Sequence, residues 1–186
     1  MVAFVGILLI GVACVGSQNV TPVAPSPEAS STPRGPQVGV KEGDLAPDFV
    51  FSDVFNEADL GSATQLSDLR GKVVLINFWA SWCRYCDAEM PSLQAFYERY
   101  SQDGFVIIGL NDGEDRGTAV GYIQKKNLTF PIVLDESKDV TRMYRVTGIP
   151  TSFLIDKNGV IVSVVIGARD WNDSVVHHAI ELLLEK

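Results

Sequence analysis

Val73-Val74-Leu75-Ile76-Asn77-Phe78-Trp79-Ala80-Ser81-Trp82-Cys83-Arg84-Tyr85-Cys86 leads from an apolar block straight into two cysteines separated by two residues. The apolar block reads as a short buried strand, and the cysteines as the opening turn of a helix. Cysteines at i and i+3 on a helix share a face, close enough to form a disulfide. Cys83 falls at the helix N-terminus, where unpaired backbone N–H groups and the macrodipole favour an anion. A thiol so placed titrates at about 3.5–7.5 instead of about 8.5, which leaves thiolate at neutral pH. The spacing predicts a thiol–disulfide redox centre.

Downstream of this centre, strand-like and helical stretches alternate. Strands are predicted at 73–79, 105–110, 132–134, 151–155 and 160–166, and helices at 83–100, 118–126, 137–144 and 171–185. The first helix carries Met90, Leu93, Tyr97 and Tyr100 at spacings of three and four, a stripe that should face a sheet. Asp156-Lys157-Asn158-Gly159 supplies an Asn-Gly turn between the last two strands. Strand–helix alternation followed by a hairpin and a helix implies an α/β domain, a mixed central sheet with helices on both faces. Pro91 lies inside the first helix, where it should remove one hydrogen bond and kink the axis.

Trp79, Trp82, the cysteine pair and Pro91 together resemble the thioredoxin superfamily, and Thr147-Gly148-Ile149-Pro150-Thr151 looks like its cis-proline loop entering a strand. The resemblance implies a thioredoxin-like fold. In it Pro150 packs beside the cysteines, and the backbone of Ile149 pairs with an extended substrate. Within the superfamily the chain is similar to the TlpA/ResA-type extracytoplasmic oxidoreductases. Gly43-Asp44-Leu45-Ala46-Pro47-Asp48-Phe49 and Leu66-Ser67-Asp68-Leu69-Arg70-Gly71-Lys72 carry that likeness. It implies an N-terminal extension and a central helical insert, around 118–126. Glu89 matches an acidic residue that this group places near its disulfide, and Asn77 stands where cytoplasmic thioredoxins carry a buried aspartate. Tyr85 replaces the proline usual before the second cysteine, so the direction of electron flow stays open.

Three segments follow from composition. Residues 1–16 are apolar or small throughout and shorter than the roughly 20 residues of a membrane span. They fit the h-region of a secretory signal. Gly11-Val12-Ala13-Cys14 resembles a bacterial lipoprotein signal, with Cys14 the lipid attachment; an uncleaved anchor or an ordinary cleaved signal are the alternatives. All three place the domain outside the cytoplasm. Residues 17–42 hold five of the nine prolines and no aromatic residue, the composition of a flexible tether. Residues 43–186 form the expected thioredoxin-like domain.

The tether's charges cancel, so the formal net charge of −8 belongs to the domain. That argues against nucleic acid and against direct docking on anionic lipid, leaving the N-terminal segment as the membrane contact. Of three cysteines, Cys14 belongs to the leader, and one pair is too few for a disulfide scaffold. With no second pair, a tetrahedral zinc site lacks ligands, and neither a metal nor a cofactor is expected. His177 and His178 fall on the last helix, solvent-facing or partly packed by default.

The expected chemistry is thiol–disulfide exchange, with Cys83 the exposed attacking thiolate and Cys86, more buried, resolving the mixed disulfide. Glu89, if buried, would have a raised pKa and carry protons to and from Cys86; a solvated helix glutamate is the plain alternative. Trp82, Ile149 and Pro150 would shape the docking surface. Resemblance implies exported cysteine-containing clients, apocytochrome c among them, and a membrane thiol donor of electrons. The chain would then be a membrane-tethered reductase. A peroxiredoxin-type thiol peroxidase is the rival enzyme, although Ala80 replaces the threonine or serine that family carries three residues before its cysteine. A non-catalytic metal- or haem-binding module is the other alternative.

Overall fold

The computed structural model describes residues 35–185. The expected leader and Cys14 lie outside the described residues. Six strands form one sheet: β1 (Val54–Phe55), β2 (Val73–Trp79), β3 (Phe105–Asp112), β4 (Ile132–Asp135), β5 (Thr151–Ile155) and β6 (Ile161–Ile166). Their order is β1-β4-β3-β2-β5-β6. The central three, β2, β3 and β4, are parallel, while β1, β5 and β6 join antiparallel. Among the described residues there are four α-helices: α1 (Arg84–Tyr100), α2 (Arg116–Lys126), α3 (Asp139–Met143) and α4 (Ser174–Glu185). The mixed sheet and its helices are as expected from sequence, and α2 is the predicted insert.

Every residue of β2 and β3 is buried, because both faces of the sheet are covered. Along β2 the side chains alternate between two cores. Val73, Leu75 and Trp79 join Met90, Leu93 and Phe96 of α1 and Ile180 of α4. Val74, Ile76 and Phe78 face the other way, toward Phe49, Leu66, Leu69 and Tyr144. Period-two alternation thus survives inside a run that reads as uniformly apolar. It also places Asn77 on the α1 face, between Leu75 and Trp79.

The two N-terminal motifs occupy the second core. Phe49, Leu66 and Leu69 insert there, and the Tyr144 hydroxyl donates to the Pro47 carbonyl at 2.7 Å. Residues at the end of the expected tether are also tied in. Gly39 N–H donates to Leu45 O, and Glu42 Oε1 accepts from Val164 N–H on the β6 edge. The backbone packs several residues ahead of Gly43, because β6 otherwise offers unpaired edge groups.

Several boundaries differ from expectation. β3 runs on to Asp112, since Asn111 and Asp112 pair with Leu134 and Asp135 of β4 and polar side chains do not end a ladder. α4 starts at Ser174 instead of Trp171, whose indole is buried in the first core outside the helix. β1 has no counterpart among the predicted strands; two residues carry too short a pattern to be read. α1 continues through Pro91 to Tyr100. Gly109 in β3 lacks a side chain for a packing reason. A Cβ there would lie 2.8 Å from the Phe130 ring and 3.1 Å from the Trp79 indole nitrogen.

Candidate active site

β2 ends at Trp79, and the loop Ala80-Ser81-Trp82 delivers Cys83 to the N-cap of α1. Cys83 has extended backbone angles, and its sulfur accepts a hydrogen bond from the Cys86 backbone N–H at 3.1 Å. Sulfur thus does the work of a capping oxygen on one of the orphan helix donors. The pair is joined as a disulfide, with Cα atoms 5.2 Å apart. The cysteines are brought together by helix spacing, as the sequence predicts.

Exposure corrects one expectation. Cys83 is only 6% exposed and Cys86 is sealed at 0%. The ranking is as expected, but Cys83 is not an open thiol. Its sulfur is bonded inward to Cys86 and lies 3.7 Å from the Ile149 carbonyl oxygen. Trp82 and Tyr85 flank it instead, each 68% exposed. The Ile149–Pro150 peptide bond is cis, and it leads into β5 beside β2. Of the three residues expected to shape a docking surface, Trp82 is exposed, Ile149 is half-buried and Pro150 is buried.

Behind the pair is a buried polar network. Glu89 lies three residues after Cys86 on the same face of α1 and is 3% exposed. Its Oε1 accepts from Asn77 Nδ2 at 2.8 Å, and its Oε2 accepts from the Arg169 backbone N–H at 3.0 Å. Asn77 Nδ2 also donates to Ser152 Oγ on β5 at 2.9 Å. Burial pushes the Glu89 carboxyl above the usual carboxylate range; the bonds from Arg169 and Asn77 oppose that without cancelling it. Glu89 is not a solvated helix glutamate. An open cleft between α1 and the segment after β6, lined by Glu89, Pro91, Ser92, Arg169 and Asp170, reaches it from the side.

A second carboxylate escapes sequence reasoning. Glu114, between β3 and α2, is buried and accepts from the backbone N–H of Ser81 at 2.7 Å. It accepts from Ser81 Oγ at 2.5 Å and from Asn111 Nδ2 at 2.7 Å as well. Nothing in local spacing joins Glu114 to a loop 33 residues earlier. On the other side of the cysteines, Asp87 accepts from Tyr122 Oη and pairs with Lys126, so α2 is latched to α1. These contacts hold the Asp87 carboxyl below its ordinary range. The histidines stand apart: His177 Nδ1 is 2.7 Å from the Tyr100 hydroxyl on the far end of α1, and His178 is exposed.

A disulfide capping a helix, a cis-proline loop against its sulfur and a buried carboxyl behind it define a thiol–disulfide exchange centre on a thioredoxin-like fold. Relatives agree. Residues 43–164 match the AhpC/TSA family. The chain is 38% identical over 141 residues to the thiol-disulfide oxidoreductase ResA of Geobacillus kaustophilus, covering 76% of this chain and 78% of that protein. Against ResA of Bacillus subtilis the identity is 35% over 144 residues, covering 77% and 76%. Among solved structures, the thioredoxin domain of a thiol-disulfide oxidoreductase from Bacteroides vulgatus superposes with a TM-score of 0.64. It is 26% identical and covers 78% of this chain and 99% of that one. The chain belongs to the AhpC/TSA family and, within it, to the ResA-like thiol-disulfide oxidoreductases. It catalyses thiol–disulfide exchange.

Proposed function

We propose that this oxidoreductase works outside the cytoplasm as a membrane-tethered reductase of protein disulfides. The carrying observation is Cys83 at the N-cap of α1, its sulfur held by the Cys86 N–H, with buried Glu89 one turn behind Cys86. In the dithiol form, the helix N-terminus and that N–H stabilise the Cys83 thiolate. The thiolate attacks one sulfur of a client disulfide, forming a Cys83–client bond and releasing the other client sulfur as a thiolate. Cys86 then loses its proton to Glu89 and attacks Cys83. Its attack closes the Cys83–Cys86 bond and releases the second client thiolate. Two electrons pass from the dithiol to the client, and a carboxyl whose pKa burial has raised is suited to that proton transfer.

Trp82, Ile149 and Pro150 form the surface on which the client docks. Exported cysteine-containing proteins, apocytochrome c among them, are the proposed clients, and a membrane thiol protein is the proposed electron donor. Cys14 is the proposed lipid attachment that ties the chain to the bacterial cell membrane. Support for a tether comes from the apolar leader ending in Gly11-Val12-Ala13-Cys14 and the proline-rich stretch after it. The deciding experiment is the reduction potential of the full chain, equilibrated against glutathione and dithiothreitol buffers. A value near about −270 mV supports a reductase. A value between about −180 and −120 mV places it with isomerases and oxidants and reverses the proposed direction.

A further inference from the structure

We propose that Glu114 is a positioning residue for Cys83, acting through Ser81. This rests on the reading of Cys83 as the attacking sulfur. Ser81 stands two residues before Cys83, and Ala80 O accepts from the Cys83 N–H at 3.1 Å, so the whole loop is one tight turn. Both hydrogen-bonding groups that Ser81 offers to the interior, its N–H and its hydroxyl, end on the one carboxylate of Glu114. The third donor, Asn111 Nδ2, comes from the end of β3, and Asn111 is paired in register with Trp79, the last residue of β2. Glu114 therefore bolts the nucleophile loop to the central sheet at the point where β2 releases it.

The chemistry of this contact requires a carboxylate. Three donors converge on two oxygens at 2.5–2.7 Å, in the range of charge-assisted bonds. Glu114 is only 8% exposed, and the described residues place no lysine or arginine in ion-pair contact with it. A structural glutamate would be expected to pair with a cation or face water. Here the charge is spent on orienting one loop. A neutral glutamine offers one acceptor oxygen and turns an NH2 group toward donors, so the loop loses its anchor while the shape is kept. Glu114 touches neither cysteine in the contacts described, which is why it positions and does not take part in bond exchange.

The test uses the full chain and two assays. Reduction of insulin by dithiothreitol reads exchange with a docked protein disulfide. Alkylation of Cys83 by iodoacetamide across pH, followed on the Cys83 peptide by mass spectrometry, reads the thiolate alone. Glu114→Gln is expected to slow insulin reduction about tenfold or more, because a displaced sulfur loses the in-line approach to a docked partner. The plateau rate of alkylation should stay at the wild-type value, since a small reagent needs no docking. Ser81→Ala keeps the backbone bond and should show a smaller loss in the same assay, and Ser81→Thr, which keeps the hydroxyl, should restore the rate. Wild-type insulin turnover in both Glu114→Gln and Ser81→Ala overturns the proposal. So does a parallel fall of both assays, which would mean that Glu114 acts on the reactivity of the sulfur itself and not on its placement. Insulin turnover by Cys83→Ser would instead remove the nucleophile reading, and this proposal with it.

Discussion

Asn77 and Glu89 meet across the interface of β2 and α1, the Asn77 amide donating to the Glu89 carboxylate at 2.8 Å. The pair interrupts an otherwise apolar stretch of β2, with Asn77 fully buried between Leu75 and Trp79. Because burial raises the Glu89 pKa, the folded protein binds its proton more tightly than the unfolded chain does. Its contribution to stability is full below the ordinary value of 4.5 and is lost as pH rises through the higher folded value. Glu89→Gln does not ionise. The melting-temperature difference between Glu89→Gln and wild type should therefore grow in favour of the variant as pH climbs from 4 to 8. A difference that stays flat with pH would mean Glu89 does not titrate in the folded state. Exchange by the variant should fall about 100-fold at neutral pH, the usual scale for a lost proton-transfer group.

Asn77→Asp would set a second carboxylate against the first. Two buried carboxylates cannot both ionise without cost, so the variant should lose about 3 kcal/mol at neutral pH. Most of that loss should disappear in acid, where the site holds its protons. Urea unfolding at pH 4 and pH 8 measures both, and equal losses at the two pH values would contradict the account.

The cysteines should separate cleanly by substitution. Cys83→Ser leaves no attacking thiolate and should abolish insulin reduction. Cys86→Ser leaves the attacker but nothing to release the client, and should accumulate a Cys83–client mixed disulfide visible by mass in non-reducing conditions. If Cys86→Ser traps nothing and Cys83→Ser does, the two roles are exchanged.

Trp82 is a large apolar side chain held in solvent beside a buried sulfur. Trp82→Ala removes little folded packing, and stability should change by no more than about 0.5 kcal/mol. As a docking residue it should matter more to a protein client: a loss of about 1 kcal/mol corresponds to a KM about fivefold higher. Reduction of a small disulfide such as oxidised glutathione should be far less affected. Equal effects on both substrates would remove Trp82 from the docking surface.

Phe96 anchors the first core. Its ring meets Tyr100 at 4.9 Å and Phe105 edge-on at 5.3 Å, with Trp171 at 6.1 Å. Phe96→Ala leaves a cavity where α1, β3 and the lead into α4 converge, and should cost about 3–5 kcal/mol. Chemical denaturation reads the loss directly; a cost below about 1 kcal/mol would mean the neighbours collapse into the space.

What was legible before the fold was known is what consecutive residues encode. The run Val73–Trp79 shows its burial on both faces by lacking polar alternation, apart from Asn77. The Cys83–Cys86 spacing fixes a shared helix face whatever surrounds it, and Met90, Leu93, Tyr97 and Tyr100 report the core-facing stripe by their period. The likeness to a cis-proline loop led to Ile149–Pro150, whose peptide bond is cis and whose Ile149 carbonyl lies 3.7 Å from the Cys83 sulfur. What only the assembled fold decided is how each polar group is solvated. A glutamate at position 89 reads the same in water or in a core; its burial depends on Asn77 and on Arg169, 80 residues further along. Glu114 becomes part of the site only because β3 runs beside β2 and carries it under Ser81. Cys83, at the N-cap of its helix, is nonetheless buried, with the Ile149 carbonyl 3.7 Å from its sulfur. Secondary-structure period is a property of neighbours in the chain, whereas desolvation and hydrogen-bond pairing are properties of neighbours in space.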